Sequence, residues 1–109
     1  MTLVMVRAII REDRLAEVLK ALVEAGFVGA TVYTARGMGG EGGVVEVGGR
    51  HVPVLLPRAV VEVVTDEKEA DRAVEAIMKS ARTGAVGDGR IFVYRVDKAI
   101  RIRTSEVYT

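Results

Sequence analysis

The sequence predicts a single α+β domain over residues 1–109 in which a strand–helix–strand unit occurs twice. In the first half, an apolar, β-branched segment over Leu3–Arg11 precedes a helical pattern and a second β-rich segment over residues 29–36. In the second half, residues 59–65, 66–83 and 90–96 repeat this order. The repeat favours a ferredoxin-like βαββαβ fold, with an antiparallel sheet, both helices on one face and a long loop between strands 2 and 3.

Apolar spacing predicts each helix. In the first, over residues 12–26, apolar side chains recur at i, i+3, i+4, i+7 and i+8, and Gly26 ends the helix. In the second, Asp66 is the expected N-cap and Gly84 follows the end. The apolar residues that follow this helical spacing are Leu15, Val18, Leu19, Leu22 and Val23 in the first helix, and Ala70, Ala73, Val74, Ile77, Met78 and Ala81 in the second.

The second sheet face needs a cover. The strand over residues 59–65 is almost entirely apolar, so few of its positions suit contact with water. A second copy of the chain would cover this face, and the sequence therefore predicts a homo-oligomer. A monomer with a solvated sheet face is the alternative.

Composition excludes several classes of function. The net charge of +1 gives no electrostatic case for nucleic-acid binding, and the absence of cysteine removes disulfides and thiolate metal sites. No apolar run approaches the ~18 residues of a membrane span, and no signal peptide is recognisable, so we expect a cytoplasmic protein without membrane insertion. His51 is the only histidine, and no catalytic set or metal-ligand motif accompanies it. We therefore expect neither an enzyme nor a metal site.

Residues 37–57 form a long connection with seven glycines among 21 residues. Loops of this length inside compact domains are usually functional or disordered, so we expect a mobile functional loop. Its middle part predicts a small hairpin about Gly48 and Gly49. A connection without a role is the alternative.

Residues 82–90, "RTGAVGDGR", combine three glycines with Asp88 and Arg90. Glycines let backbone N–H groups approach an anion closely, and Arg90 adds a cation, which is typical of a phosphate-binding loop. An ordinary helix-to-strand turn explains the same residues.

The C-terminal segment, residues 100–109, places Arg101 and Arg103 in alternation with Ile100 and Ile102. In an extended chain both arginines would share one face and would repel each other unless an anion lay between them. A charged sheet edge that resists aggregation is the alternative. Glu62, within an apolar strand, needs a partner, which an arginine or a ribose hydroxyl would supply.

These segments together resemble the PII signal-transduction family. The resemblance rests on "RTGAVGDGRIFV", "AIRIRTSE" and "LPRAVVEVV", in this order along nearly the whole chain. It implies a homotrimer of ferredoxin-like subunits that binds ATP or ADP in clefts between subunits. Loop 37–57 would then control a target protein, such as an ammonium channel, a nitrogen-assimilation enzyme, nitrogenase or a transporter.

The resemblance also implies a set of nucleotide-binding residues. Phosphates would contact the loop before the last long strand of one subunit and the C-terminal arginines of its neighbour. The nucleoside would lie against two strands and the base of loop 37–57. The implied residues are Ile9, Thr31, Gly37, Met38, Gly39, Arg58, Glu62, Val64, Gly87, Asp88, Gly89, Arg90, Arg101 and Arg103.

The loop base "GMGGEGG" departs from the family pattern. Glu41 stands where a glutamine is usual; with Arg58 it forms the candidate effector or Mg²⁺ site. A carboxylate there can ligate Mg²⁺ but repels a dianion, which argues against sensing of 2-oxoglutarate. His51 replaces the tyrosine that is uridylylated in some relatives. The alternatives are a CutA-like trimeric metal-binding or structural protein, a related sensor of a small anion such as bicarbonate, and a small phosphate-ester hydrolase.

Overall fold

The computed structural model describes residues 1–38 and 44–108. Four strands form an antiparallel sheet in the order β2-β5-β1-β6, and the predicted ferredoxin-like arrangement is confirmed. The elements are β1 (Leu3–Arg11), α1 (Leu15–Glu24), β2 (Thr31–Gly37), β3 (Val44–Val47), β4 (Arg50–Pro53), β5 (Leu56–Asp66), α2 (Glu67–Ala81), β6 (Gly89–Arg95), β7 (Ala99–Ile100) and β8 (Val107–Tyr108).

Some element boundaries differ from those expected from periodicity. A 3₁₀ turn over Glu12–Arg14 precedes α1, so the α-helix begins at Leu15 and not at residue 12 as predicted. Strand β5 is longer at both ends than residues 59–65, because β2 pairs with its first residue, Leu56, and β1 pairs with its last, Asp66. Cross-strand hydrogen bonds thus extend β5 beyond its apolar centre.

Specific caps limit both helices. Gly26 ends α1 with a φ of +94°, and Asp66 caps α2 by accepting a hydrogen bond of 3.0 Å from the backbone N–H of Lys68. At the other end of α2, the Ser80 carbonyl accepts a hydrogen bond of 2.9 Å from Nε of Arg14. This bond satisfies a carbonyl in the last helical turn and ties α2 to the segment before α1.

The core lies between the helices and one face of the sheet. Alternate residues of β1 and β5 point towards the helices, whose apolar faces cover them. No polar or charged residue among the described ones is buried. The fully or nearly fully buried side chains are Val6, Ala8, Ile10, Val18, Leu22, Ala59, Val61, Val63, Ala73 and Ile77.

The other face of the sheet, called the open face below, carries the alternate residues of the same strands. Its aromatic side chains are exposed in the single chain: Tyr33 is 42%, Phe92 45% and Tyr94 40% exposed. Within residues 1–38 and 44–108, no helix covers this face, as the sequence predicts. The residues of the open face are Met5, Arg7, Ile9, Arg11, Thr31, Tyr33, Ala35, Arg58, Val60, Glu62, Val64, Arg90, Phe92 and Tyr94.

The connection between β2 and β5 contains the predicted hairpin. Strands β3 and β4 pair directly, with Val47 opposite Arg50. Gly48 and Gly49 form the turn with φ values of +57° and +78°. Positive φ at both central residues is the requirement of a type I′ turn, so the two glycines explain the position of the hairpin.

Two neighbouring residues of α1, one buried and one exposed, should differ greatly in their effect on the free energy of unfolding. Leu22→Ala should lower the free energy of unfolding by about 2–5 kcal/mol, because it leaves a cavity beneath the helix. Val23→Ala, at a residue that is 62% exposed, should change it by no more than about 0.5 kcal/mol. Urea denaturation of both variants tests this, and equal losses would contradict the assigned helix face.

Candidate functional site

The segment between α2 and β6 is folded around the carboxylate of Asp88. Its Oδ2 atom accepts hydrogen bonds from the backbone N–H groups of Thr83 and Gly84, both at 2.9 Å. Its Oδ1 atom accepts from the Thr83 hydroxyl and, at 2.9 Å, from Nε of Arg11. The Thr83 hydroxyl and then the Arg11 guanidinium hold the pKa of Asp88 far below its ordinary value. The Asp88 side chain therefore shapes the loop, because both of its oxygens accept hydrogen bonds from the chain itself.

These hydrogen bonds also explain why α2 is shorter than predicted. The apolar pattern and Gly84 allow a helix to Thr83, but α2 ends at Ala81. The backbone N–H of Thr83 donates to Asp88 instead of to a helical carbonyl. An aspartate that hydrogen-bonds to nearby backbone competes with the helix in this way.

The loop closes onto β1 at a position that only glycine can occupy. Gly89 has a φ of +101°, and a Cβ atom there would lie 1.7 Å from the carbonyl oxygen of Ile9. Gly84 and Gly87 also have positive φ, at +89° and +102°. The chain therefore turns sharply and enters β6 in contact with β1, which brings Arg90 opposite Ile9.

The implied nucleoside residues lie together on the open face. Ile9 is opposite Arg90 in β6 and Val60 in β5. Glu62 and Val64 follow at alternate positions of β5, so their side chains share this face. The sheet register thus assembles four implied residues, Ile9, Glu62, Val64 and Arg90, which are distant in sequence.

Glu62 is held by side chains that the sequence did not single out. Its Oε2 atom accepts hydrogen bonds from Nε of Arg7 at 2.8 Å and from the Tyr33 hydroxyl at 3.0 Å. The guanidinium of Arg7 also lies over the Tyr94 ring, 5.3 Å from its centroid. Of the two partners left open for Glu62, the structure has the arginine. The hydrogen bond to Glu62 raises the pKa of Tyr33.

Arg58 lies at the edge of a cavity of about 470 Å³. In the β1–β5 register it is opposite Arg11, the residue that binds Asp88. Arg11 also donates to the Val86 carbonyl at 2.6 Å. The cavity therefore adjoins both the Asp88 loop and the end of the 37–57 connection. Its lining residues are Arg11, Glu12, Asp13, Pro57 and Arg58.

Of the implied binding residues in loop 37–57, the structure describes only Gly37 and Met38. Gly37 ends β2 opposite Leu56, and Met38 follows with 58% of its surface exposed. Gly39 and Glu41 lie outside the described residues. Thr31, which begins β2, is exposed and opposite Glu62.

The C-terminal segment is not the extended strand that would place Arg101 and Arg103 on one face. Strands β7 and β8 form a small hairpin, in which the Ser105 N–H donates to the Arg101 carbonyl at 2.8 Å. Ser105 has a φ of +60°, so the chain reverses instead of alternating. Ile102 is 97% exposed and does not pack as expected.

Arg101 has partners within this hairpin. Its Nη1 atom lies 3.3 Å from Oε1 of Glu106, and its guanidinium lies over the Tyr108 ring at 5.2 Å. The Tyr108 hydroxyl donates to the same Glu106 oxygen at 2.6 Å, which raises the pKa of Tyr108. The sequence predicted the two arginines but not this supporting pair.

The described part of the chain contains neither a membrane-spanning helix nor a cluster of metal ligands. No helix in residues 1–38 and 44–108 is long and apolar enough to cross a membrane. Within the same ranges, no three histidine, cysteine or acidic residues are grouped as metal ligands.

Comparison with known proteins gives a consistent result. The model of the family "Nitrogen regulatory protein P-II" matches residues 3–106. The P-II protein of Rhodospirillum rubrum is 45% identical over 103 residues, which cover 93% of this chain and 92% of that relative. P-II protein 2 of Methanothermobacter thermautotrophicus is 46% identical over 101 residues, covering 91% and 88%.

A solved structure of a PII protein has the same fold as this chain. The citrate-bound PII protein of Arabidopsis thaliana superimposes with a TM-score of 0.80 at 31% identity, covering 97% of this chain and 85% of that one.

The fold places the chain in the ferredoxin-like class of α+β proteins. Within that class, the chain belongs to the PII family of nitrogen regulatory proteins. The curated relatives are named as regulators, which agrees with the expected non-enzymatic role in nitrogen metabolism.

Because Gly89 lies so close to β1, adding a single methyl group at this position should strongly destabilise the fold. Gly89→Ala should prevent β6 from pairing and cause loss of the folded state, because the methyl group would overlap the Ile9 carbonyl. Gly84→Ala is the matched control: the φ is also positive, but no atom lies within 4 Å. It should cost about 1–2 kcal/mol. Circular dichroism during denaturation measures both, and a stable Gly89→Ala protein would contradict this strand contact.

The Asp88 cluster predicts a pH-dependent contribution to stability. The pKa of Asp88 is lower in the folded chain than in the unfolded chain, so its contribution is full above the unfolded value of about 3.9 and is lost as the pH falls towards the folded pKa. Asp88→Asn should therefore destabilise the protein at pH 7, with a difference from wild type that shrinks below about pH 4.

Urea midpoints measured between pH 3 and 7 test this prediction. Asp71→Asn, at an exposed position of α2, is the control and should leave the midpoints unchanged. A difference for Asp88→Asn that stayed constant in acid would show that its ionised form is not what stabilises the loop.

Proposed function

We propose that this PII-family protein acts as a cytoplasmic homotrimer that binds ATP or ADP in clefts between subunits. The bound nucleotide biases the conformation of loop 37–57, which controls a target protein of nitrogen metabolism. Nothing in the proposal requires turnover of the nucleotide.

One observation carries the proposal: a cation without an acidic partner stands beside a glycine-rich loop and an apolar strand position. Arg90 enters β6 directly after Gly89 and lies opposite Ile9 on the open face. Among the described residues, Arg90 forms no ion pair, whereas Arg7 and Arg11 each have a carboxylate. A ligand with an apolar base and anionic phosphates complements this combination.

The exposed apolar surface supports assembly of several subunits. The open face carries exposed aromatic side chains, and Ile102 in the C-terminal hairpin is 97% exposed. Contact with further copies would remove this surface from water. The radius of gyration of 16.3 Å exceeds the roughly 13 Å expected for a compact domain of this length, so parts of the chain project from the body.

In such an assembly Arg101 and Arg103 of one subunit would approach Arg90 of another. Arg103, like Arg90, forms no ion pair among the described residues. Converging guanidinium groups repel each other unless an anion lies between them. A polyphosphate therefore supplies the charge that the subunit boundary lacks, which links nucleotide binding to the contact between subunits.

A second small-molecule effector would occupy the cavity beside Arg11 and Arg58. Its cationic side chains suit a small carboxylate or bicarbonate, and the relative from Arabidopsis thaliana is described as bound to citrate. Glu12 and Asp13 line the same cavity and weaken its attraction for a dianion such as 2-oxoglutarate. Mg²⁺ would bind through the nucleotide and Glu41.

Calorimetry with ATP, ADP and AMP, each with and without Mg²⁺, 2-oxoglutarate and bicarbonate, tests the proposal. We expect ATP or ADP to bind, and Arg101→Ala and Arg103→Ala each to weaken binding by about tenfold or more, because each removes charged hydrogen bonds to phosphate. Light scattering should give a particle of three times the 11.7 kDa chain mass.

The double variant Lys20→Ala/Lys79→Ala is the control for net charge. Both lysines belong to exposed i,i+4 pairs on the helices, so their loss should leave the affinity unchanged. A monomer, or the absence of heat with every adenine nucleotide, would overturn the proposal.

A further inference from the structure

The C-terminal hairpin encloses one of the two arginines in a cluster of its own. Glu106 Oε1 receives both the Arg101 guanidinium, at 3.3 Å, and the Tyr108 hydroxyl, at 2.6 Å. The Tyr108 ring supports the guanidinium from one face. The backbone adds a hydrogen bond of 2.9 Å from the Arg101 N–H to the Glu106 carbonyl. Arg101 is therefore restrained by side chain and backbone together.

The cluster restrains Arg101 without using all of its donors. An arginine side chain has five N–H donors, and the carboxylate contacts only Nη1. Among the described residues, the Arg101 side chain has no partner other than Glu106 and Tyr108. About half of its side chain is exposed to solvent. One edge of the guanidinium thus remains available to an anion.

Arg103 provides an internal comparison. It lies two residues away in the same turn, is exposed, and has no ion pair among the described residues. A free arginine loses rotamer freedom when it binds a phosphate, which reduces its net contribution. An arginine already stacked on a ring and bound to a carboxylate has lost much of that freedom before the ligand arrives.

We infer that Glu106 and Tyr108 are positioning residues that preorganise Arg101 for the phosphates of a nucleotide held by a neighbouring subunit. This inference rests on the proposed function. Glu106 acts through geometry: its charge by itself opposes a polyphosphate, so its benefit must come from the orientation that it gives Arg101.

Two substitutions of Glu106 separate geometry from charge. Glu106→Ala removes the acceptor shared by Arg101 and Tyr108, and should weaken ATP binding about two- to tenfold through the loss of preorganisation. Glu106→Gln keeps an oxygen acceptor and removes the charge, so it should restore ATP affinity to the wild-type value or above. Tyr108→Phe keeps the ring under Arg101 and should cause a smaller loss than Glu106→Ala.

The affinity for adenosine, which has no phosphate, is the second readout. It should be the same in wild type and in every variant, since Arg101 is assigned to the phosphates alone. Glu75→Ala is the matched control, because it removes a carboxylate from an exposed pair with Lys79 on α2. Its ATP affinity should equal that of wild type.

Each outcome is decisive. If wild type binds no ATP, the proposed function fails and the inference fails with it. If wild type binds ATP but Glu106→Ala binds it equally or more tightly, only the inference is wrong, and Glu106 is a competitor for Arg101 or has no effect. An equal loss of affinity for adenosine would also overturn the inference, since it would indicate general damage to the hairpin or the assembly.

Discussion

The carboxylate of Asp88 joins three parts of the chain on which the candidate site depends. It accepts a hydrogen bond from the N–H of Thr83, which ends α2, and another from Arg11 of β1. The next residue, Gly89, is in close contact with β1. Without this anchor, a segment with three glycines would have many backbone conformations of similar energy. The Asp88 cluster therefore determines where β6 begins, and consequently which face of the sheet Arg90 occupies.

The distribution of carboxylates among the arginines defines two groups of cations. Arg7, Arg11 and Arg101 are bound to Glu62, Asp88 and Glu106, and each of these pairs holds a side chain in a fixed direction. Of these pairs, only Arg101–Glu106 has both side chains about half exposed, so it contributes little to stability and its value lies in orientation. Within the described chain, Arg90 and Arg103 make no ion pair. The proposed anion site between subunits would use these two unpaired cations, Arg90 opposite Ile9 and Arg103 in the turn that follows Arg101.

Sequence reasoning predicted the elements of this fold because their local signals agree. The apolar spacing of α1, the cap at Asp66 and the turn at Gly48 and Gly49 are all effects of neighbours in sequence. The partners of Glu62 and Asp88 were not predicted, since Arg7 and Arg11 lie 55 and 77 residues away and only the sheet register brings them close. Strand alternation shows that Arg7 and Glu62 each interrupt an apolar strand, but not that the two are opposite each other.

The C-terminal segment shows a different limit. Alternation of arginine and isoleucine predicts an extended strand, and the chain instead reverses at Ser105, a residue whose positive φ no sequence rule anticipates. Glu106 stabilises the reversal by accepting from Arg101 through both its backbone and its side chain. A common face for Arg101 and Arg103 was expected only for an extended chain, and this condition is not met because contacts within the hairpin outweigh the periodicity.

Arg11 offers a physical route between the Asp88 loop and the 37–57 connection. Its guanidinium binds Asp88 and the Val86 carbonyl on one side. On the other side it lines the cavity that contains Arg58 and Pro57, at the point where the 37–57 connection enters β5. A ligand that attracts Arg58 or displaces Arg11 acts on both segments at once, since the same side chain borders each. Coupling by a shared residue needs no long pathway through the core. It is therefore compatible with a closely packed sheet whose strands do not slide past each other.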